Sequence, residues 1–194
     1  MGFVFMSQFP AYRAVILDRD GVVNDNPDDY ILRWSDFIWL SGALDALRIM
    51  HEQGIAVAIV TNQGCIARGL CTAAAVDDVH ARMAQAVVEA GGEISGIYSC
   101  PHYRQGCDCE KPAPGNVYRA MADMGVTPEE TCFVGDRLVD MQAAHAAGVE
   151  GYMVRSGYEG DWPRAMATAT PPVAIFDTLA DFVDEVVAQE VVVG

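Results

Sequence analysis

Basic residues are scarce in this sequence. Its 194 residues include 12 lysines and arginines against 27 aspartates and glutamates, a formal net charge of −15 at pH 7. Proteins that bind nucleic acids or anionic membrane surfaces use clustered lysine and arginine side chains. The charge balance therefore argues against both kinds of partner. A site for a small anion has to be built locally, from a metal ion and a few basic side chains.

Long apolar segments, internal repeats and low-complexity tracts are also missing. No run of 18 apolar residues occurs, so we expect no transmembrane helix. Met1–Pro10 lacks the charged start and long apolar core of a signal peptide, which favours a cytoplasmic protein. The length and the 52% hydrophobic content predict one domain over residues 1–194, with 1–12 as a loosely held N-terminal arm. The sequence does not indicate an oligomeric state.

Cysteines are present, but their spacing does not suggest a disulfide framework. Three of the six lie within one short loop, as Cys100, Cys107 and Cys109, together with His102. Three thiolates and one imidazole form a tetrahedral ligand set suited to Zn²⁺, with no position left for a reacting water. We therefore predict a structural zinc loop over residues 100–109.

The most informative stretch runs from Ala14 to Asn24. Ala14–Leu17 is apolar and reads as a buried strand, and the polar residues Asp18, Asp20 and Gly21 follow it directly. Two carboxylates one residue apart can then lie at the rim of a sheet. A strand followed by an ordinary polar turn is the simpler alternative, and the remainder of the chain has to decide between the two.

Apolar strands and amphipathic helices alternate along the chain, which predicts an α/β protein with a doubly wound, Rossmann-like parallel sheet. In such a sheet, ligands bind beyond the carboxyl ends of the strands. Asp18, Thr61 and Asp136 each follow an apolar strand, so we expect them to meet at one rim. The predicted strands are 14–17, 55–60, 97–99, 132–134, 152–154 and 173–176, and the predicted helices are 43–53, 73–90, 116–124, 138–147 and 179–189.

Several ordered motifs resemble those of the haloacid-dehalogenase-type phosphohydrolases, in the branch that contains heptose bisphosphate and histidinol-phosphate phosphatases. They are Asp18-x-Asp20-Gly21-x-x-Asn24, Thr61-Asn62-Gln63, the cysteine loop, Lys111-Pro112 and Gly135-Asp136-Arg137-Leu138-Val139-Asp140. The similarity extends from about residue 14 to residue 157. It implies the fold of that family, and no insertion is long enough for a large cap domain.

The resemblance also implies roles for individual residues. Asp18 is the expected nucleophile, forming a phospho-aspartate, and Asp20 the expected general acid and base. Thr61 and Lys111 would stabilise the transferring phosphoryl group, with Lys111 ordered by the zinc loop. The expected Mg²⁺ ligands are the carboxylates of Asp18 and Asp136 and the backbone carbonyl of Asp20. Residues expected to contact the substrate are Asn62, Arg68, Glu110 and Arg137.

Two roles stay open at this point. Asp140 either supports the metal site indirectly or caps the helix that it begins. The aromatic segment 26–39, which includes Tyr30, Trp34 and Phe37, either covers the site or closes the edge of the core. His80 and the cysteines outside the loop are expected to serve packing or to lie at the surface.

The implied activity is Mg²⁺-dependent hydrolysis of a small phosphorylated metabolite, with D-glycero-D-manno-heptose 1,7-bisphosphate, cleaved at C7, as the leading candidate substrate. Two departures from the family pattern bear on the substrate. Gly64 replaces a usual serine, and Glu110 replaces a usual basic residue and would repel a second phosphate, which Arg137 could offset. Histidinol phosphate is an alternative, because its amine would suit Glu110. A zinc-stabilised binding module without activity is a further alternative, against which the complete set of carboxylates argues.

Overall fold

The structure is a computed structural model, and it describes residues 11–25, 30–157, 161–169 and 171–187. The strands are β1 (Ala14–Leu17), β2 (Ala56–Asn62), β3 (Gly96–Cys100), β4 (Thr131–Gly135), β5 (Glu150–Val154) and β6 (Ile175–Phe176). The helices are α1 (Ala43–Glu52), α2 (Ala73–Glu89), α3 (Gly115–Met124), α4 (Leu138–Ala147), α5 (Trp162–Met166) and α6 (Leu179–Phe182), which continues as a π-helical turn over Val183–Val187.

All strand pairings in the sheet are parallel, in the order β3-β2-β1-β4-β5-β6. The chain adds β2 and β3 on one side of β1, and β4, β5 and β6 on the other. The strand order therefore reverses between β1 and β4, and doubly wound sheets bind ligands at such a point. The predicted fold class is therefore confirmed, and the described residues form no large cap domain over the sheet. None of the described helices combines the length and the apolar character needed to cross a membrane.

Helices cover both faces of the sheet because alternate strand residues point to opposite sides. Val15 and Leu17 pack with α1, α2 and α6 on one face. Ile16 and Phe133 pack with α3 and α4 on the other. With both faces buried, the strands read as continuous apolar runs, which is why the sequence indicated them clearly.

The predicted elements agree with the observed ones to within one or two residues in most cases. Helix α4 spans the predicted residues, and Thr72 caps α2 as its hydroxyl accepts a hydrogen bond from the Ala75 N–H at 3.2 Å. Helix α5 was not predicted, because residues 164–172 have the composition of a loop. The last strand begins at Ile175 instead of at residue 173.

Two predictions about irregular segments need correction. Residues 1–10 of the predicted arm lie outside the described residues, but Tyr12 is buried, and its hydroxyl hydrogen-bonds Glu150 and Tyr152. The aromatic segment divides between the two alternatives. Trp34 and Phe37 stack with ring centroids 5.0 Å apart and pack against the core, whereas Tyr30 lines the cavity described below. Residues 26–29 lie outside the described residues.

Candidate active site

The carboxylates at the carboxyl ends of β1 and β4 lie side by side. The strands are in register through Leu17 and Val134, and the Asp18 N–H donates to the Val134 carbonyl at 2.9 Å. Carboxylate oxygens of Asp18, Asp136 and Asp140 all lie within 4.8 Å of one another. Thr61, the second-to-last residue of the neighbouring strand β2, is buried and lines the same cavity. The structure thus brings together the three motifs that were expected to meet.

Lys111 lies at the centre of this group. Its Nζ is 2.8 Å from Asp18 Oδ1 and 2.7 Å from Asp140 Oδ1, and it donates to the Val60 carbonyl at 2.8 Å. Burial opposes the charge on Lys111, but the Asp140 and Asp18 carboxylates outweigh it and raise the pKa of the lysine. Burial raises the pKa of Asp18 to about 7, although Lys111 acts in the opposite direction.

Asn62 holds the backbone of Lys111 in place. Its side-chain amide donates to the Lys111 carbonyl at 3.0 Å, and its side-chain oxygen accepts from the Lys111 N–H at 2.9 Å. Asn62 also lines the cavity, so its expected contact with substrate stays a prediction. The contacts observed for its side chain are those that position Lys111.

Asp20 is surrounded by hydrogen-bond donors. Its carboxylate receives the Arg19 guanidinium at 2.8 Å, the Asn24 amide at 3.0 Å and the Gln63 amide at 3.0 Å. Burial favours the neutral carboxyl group, but Arg19 and the amide donors outweigh it and lower the pKa of Asp20. The same Gln63 amide nitrogen donates to Thr61 Oγ1 at 2.9 Å, which joins the first two motifs.

Arg19 is fully buried, although its sequence context is that of a polar turn. Its Nη1 lies 2.9 Å from His80 Nε2 on α2, so this imidazole nitrogen has to act as the acceptor. Burial and the Arg19 charge lower the pKa of His80 to about 4, which keeps the ring neutral. Of the two expectations for His80, packing or a surface position, the structure agrees with the first, and it adds the contact with Arg19.

Two glycines make room for the Asp136 carboxylate. A Cβ atom on Gly21 would lie 2.4 Å from Asp136 Oδ2, and one on Gly157 would lie 2.1 Å from the same oxygen. The Ser156 hydroxyl donates to the Gly21 carbonyl at 2.8 Å and ties the two glycine turns together. The turn after β5 is therefore part of the site. Its sequence signal, a small polar residue and a glycine after an apolar strand, resembles that of the other motifs.

Asp140 caps the start of α4 and also pairs with Lys111, while its support of a metal site stays a prediction. Its Oδ2 accepts from the Arg137 N–H at 2.9 Å at the start of α4, while its Oδ1 pairs with Lys111. Arg137 lines the cavity, with its Nε 3.6 Å from the carboxylate of Asp161. The carboxylates of Asp18 and Asp136 and the backbone carbonyl of Asp20 stay the predicted Mg²⁺ ligands, and oxygen atoms of this kind suit that ion.

The cysteine loop has the geometry of a zinc site. The sulfur atoms of Cys100, Cys107 and Cys109 lie 3.2–3.6 Å apart, and His102 Nδ1 is 3.3 Å from Cys109 Sγ and 3.6 Å from Cys100 Sγ. Tetrahedral Zn²⁺ with bonds of about 2.3 Å to sulfur separates its sulfur ligands by roughly 3.8 Å. The four side chains therefore fit such an ion with small adjustments.

The site opens into a cavity of about 920 Å³ at the carboxyl edge of the sheet. This volume suits a small phosphorylated metabolite. All four residues expected to contact substrate line it, namely Asn62, Arg68, Glu110 and Arg137. The Glu110 carboxylate is engaged within the cysteine loop, where it accepts from the Arg104 N–H at 2.8 and 3.0 Å.

Comparisons with known proteins agree with this geometry. A family model described as HAD-hydrolase-like matches residues 108–182. A D-glycero-beta-D-manno-heptose-1,7-bisphosphate 7-phosphatase from Pseudomonas putida is 39% identical over 178 residues, 90% of this chain and 99% of the relative. The enzyme of the same name from Neisseria meningitidis is 37% identical over 172 residues, 88% of this chain and 92% of the relative. The chain belongs to this family of HAD-like phosphatases.

The same family appears among solved structures. The crystal structure of D,D-heptose 1,7-bisphosphate phosphatase from B. bronchiseptica, complexed with magnesium and phosphate, aligns with a TM-score of 0.82. It is 32% identical in sequence, and the alignment covers 89% of this chain and 96% of that one. The family membership therefore rests on the fold as well as on the sequence.

Gly21 and Gly157 together form a glycine clamp around the Asp136 carboxylate. We therefore predict that Gly157→Ala greatly lowers the activity of this phosphatase. The added methyl group would meet both the Asp136 carboxylate and the Gly21 Cα, at 2.7 Å, so the carboxylate has to move. A displacement of about 1 Å in an active site can cost on the order of 10²-fold in rate. We expect a loss of this size in kcat/KM for phosphate release.

Gly54→Ala provides the matched control. Gly54 has a φ of 73° but no atom within 4 Å of the position of its Cβ. The substitution should therefore lower the free energy of unfolding, measured in urea, by about 1 kcal/mol and leave kcat/KM unchanged. Equal activity of the two variants would show that the glycine clamp does not position Asp136.

Proposed function

We propose that this phosphatase is a Mg²⁺-dependent phosphomonoesterase that releases the C7 phosphate of D-glycero-D-manno-heptose 1,7-bisphosphate through a phosphorylated Asp18. The observation that carries the proposal is the buried group of Asp18, Asp136 and Asp140 around Lys111, at the point where the winding of the sheet reverses. The substrate is inferred from the names of the relatives, which cover almost the whole length of this chain.

Asp18 is the nucleophile in this proposal. Its carboxylate oxygen attacks phosphorus while the bond to the sugar oxygen breaks, and water then attacks the same phosphorus and releases Asp18. Lys111 keeps Asp18 oriented and offers positive charge to the phosphoryl oxygens, and the Thr61 hydroxyl lines the same cavity. Asp18 and Asp136 would hold Mg²⁺, which supplies further positive charge to the transferring group when it is bound.

Asp20 supplies and removes the protons. As an acid it protonates the departing sugar oxygen, and as a base it takes a proton from the attacking water. The Arg19, Asn24 and Gln63 donors favour its carboxylate form, which suits the second step. For the first step Asp20 has to carry a proton, so at least part of its contact with Arg19 has to be released when the substrate binds.

Zn²⁺ is proposed as the second metal, held by the loop that precedes Lys111. Its four protein ligands leave no vacancy, so its role is to fix the loop. Glu110, Lys111 and Pro112 follow directly after the last ligand, Cys109. The loop therefore determines where the buried lysine enters the site.

Histidinol phosphate is the weaker candidate substrate. The sequence argument in its favour was that Glu110 could meet the substrate amine. In the structure the Glu110 carboxylate accepts from the Arg104 N–H and keeps its charge, so the heptose candidate leads because of the names of the relatives.

The choice of substrate is tested by measuring phosphate release with Mg²⁺ from both candidates under identical conditions. We expect kcat/KM for heptose 1,7-bisphosphate to exceed that for histidinol phosphate by at least about 10²-fold, because binding groups matched to one substrate are left unpaired by the other. A preference for histidinol phosphate would contradict the proposed substrate while leaving the phosphatase assignment intact.

The nucleophile is tested by Asp18→Asn, which keeps the size of the side chain and removes its negative charge. We expect turnover to fall by at least about 10³-fold, since the covalent step is lost. Zinc content should not change. Asp78→Asn, on the exposed face of α2, is the matched control and should keep full activity. Substantial turnover by Asp18→Asn would rule out the assigned nucleophile.

The zinc proposal predicts that Cys107→Ser binds much less zinc than the parent, because a hydroxyl is a poor replacement for a thiolate ligand. Turnover should fall on the order of 10-fold or more, since the loop that leads to Lys111 loses its support. Metal content by mass spectrometry and kcat are the measurements. Cys71→Ser, outside the loop, should retain both; a Cys107 variant with full zinc and full activity would contradict the proposal.

A further inference from the structure

Arg19 has no solvent-exposed surface, although it is charged and stands between two residues of the site, Asp18 and Asp20. Its backbone is held on both sides: its N–H donates to Asp18 Oδ1 at 2.7 Å, and its carbonyl accepts from the Val23 N–H at 2.9 Å. Because water does not reach the guanidinium, its orientation depends on the protein groups that it contacts.

The far end of this guanidinium contacts helix α2. Arg19 Nη1 lies 2.9 Å from His80 Nε2, and His80 is itself buried. Since arginine only donates, Nε2 has to accept, so the imidazole is the neutral tautomer with its proton on Nδ1. His80 belongs to the buried stripe of α2 that includes Val76 and Met83, four residues before it and three after it. The packing of this helix therefore fixes the acceptor.

The opposite edge of the guanidinium holds the two carboxylate oxygens of Asp20 unequally. Oδ1 accepts from Arg19 Nε at 3.0 Å, from Arg19 Nη2 at 2.8 Å and from the Asn24 amide at 3.0 Å. Oδ2 accepts from Arg19 Nη2 at 2.8 Å and from the Gln63 amide at 3.0 Å. That amide also reaches the hydroxyl of Thr61, which lines the cavity. Oδ1 is therefore the anchored oxygen, and Oδ2 is the one connected to the cavity wall.

We propose that His80 is a positioning residue of the phosphatase reaction: it fixes the Arg19 guanidinium, which anchors Asp20 by Oδ1 and leaves Oδ2 to exchange protons. The proton on Oδ2 passes to the departing sugar oxygen as the bond to phosphorus breaks. A proton of the attacking water then returns to Oδ2 as the water oxygen bonds to phosphorus. The inference rests on the proposed function, because it requires Asp20 as the acid and base.

The rigid shape of the guanidinium connects the two ends of this chain of contacts. Its N–H groups lie in one plane, so an edge fixed by His80 determines where the opposite edge presents its donors to Asp20. Without the imidazole, Arg19 Nη1 would be a buried donor without its acceptor, and the guanidinium would turn toward other acceptors. A displacement of about 1 Å in an active site can cost on the order of 10²-fold in rate. A purely structural role for His80 would instead affect stability and spare proton transfer.

The first test compares His80→Leu, which removes the acceptor, with His80→Gln, whose amide oxygen can accept from Arg19 Nη1. The substrate is whichever of heptose 1,7-bisphosphate and histidinol phosphate the unchanged protein prefers. His80→Leu should lower kcat/KM by about tenfold or more, chiefly through kcat, and His80→Gln should recover most of that loss.

His51→Leu, the same substitution at an exposed histidine of α1, is the matched control and should keep full activity. His80→Asn, whose shorter amide does not reach Arg19 Nη1, replaces the leucine variant where that variant does not fold. Full activity of the variant without the acceptor, or an equal loss in His80→Gln, would overturn the proposal.

The second test separates proton transfer from general damage to the site. An alkoxide leaving group needs a proton, whereas p-nitrophenolate leaves readily as an anion, so hydrolysis of p-nitrophenyl phosphate depends little on an acid. The loss of kcat/KM in His80→Leu should therefore be several times larger on the preferred substrate than on p-nitrophenyl phosphate. Equal losses on the two substrates would indicate a structural role and overturn the proposal.

The third test asks whether His80 acts through Arg19. When Arg19→Met is already present, adding His80→Leu should change kcat/KM on the preferred substrate by no more than about twofold, because the group that His80 holds is gone. Losses that multiply in the double variant would show that His80 acts by another route and would overturn the proposal.

Asp20→Asn separates this inference from the proposed function. If Asp20→Asn loses equal activity on the preferred substrate and on p-nitrophenyl phosphate, Asp20 is not the acid, and the proposal for His80 falls with that role. If Asp20→Asn shows the selective loss and His80→Leu does not, only the positioning role of His80 is wrong.

Discussion

The structure depends on keeping charged groups buried beside one another. The Lys111 ammonium has almost no contact with solvent and lies between the carboxylates of Asp18 and Asp140. Taking an ion out of water costs several kcal/mol, and only close contacts with opposite charges compensate for that cost. Arg19 and Asp20 form a second buried pair. The cluster contains the buried Asp18, Asp136, Asp140, Arg19 and Lys111 together with the largely buried Asp20, which makes four carboxylates and two cations. With Asp18 ionised, the four carboxylates exceed the two cations by two negative charges, which a divalent cation would balance.

The parallel sheet makes this charge cluster possible because it ends all of its strands at one edge. β1 and β4 place Asp18 and Asp136 next to each other, and β2 brings Thr61 alongside. β5 adds no charged side chain to this cluster, but the turn that follows it contains Gly157, which leaves room for Asp136. Lys111 comes from outside the strands, on the segment after the cysteine loop. Asn62 holds the backbone of Lys111, and the Val60 carbonyl of β2 holds its ammonium group.

The sequence predicted the strands, most helices and the rim to which Asp18, Thr61 and Asp136 belong, because two-sided burial makes each strand an apolar run followed by a polar turn. It did not predict the burial of Arg19, since the acceptor on His80 comes from a helix 61 residues away. Helix α5 was missed because its residues have loop-like composition. The roles of Gln63, Ser156 and Gly157 also depend on contacts between distant turns, which local patterns do not contain.

The two departures from the family pattern show why the charge of a residue alone does not define its role. Glu110 suggested a repelled phosphate, yet its carboxylate is used by a backbone N–H, and Gly64 suggested a lost hydroxyl, yet its open space admits two rings. In the proposed mechanism Lys111 acts on the phosphoryl group during its transfer, and its burial places it in surroundings of low dielectric where its charge has a strong effect. Arg68 and Arg104 are exposed and lie over tyrosine rings, where such contacts are individually modest. The described residues thus place a buried lysine in the interior of the cavity and exposed, stacked arginines at its edge.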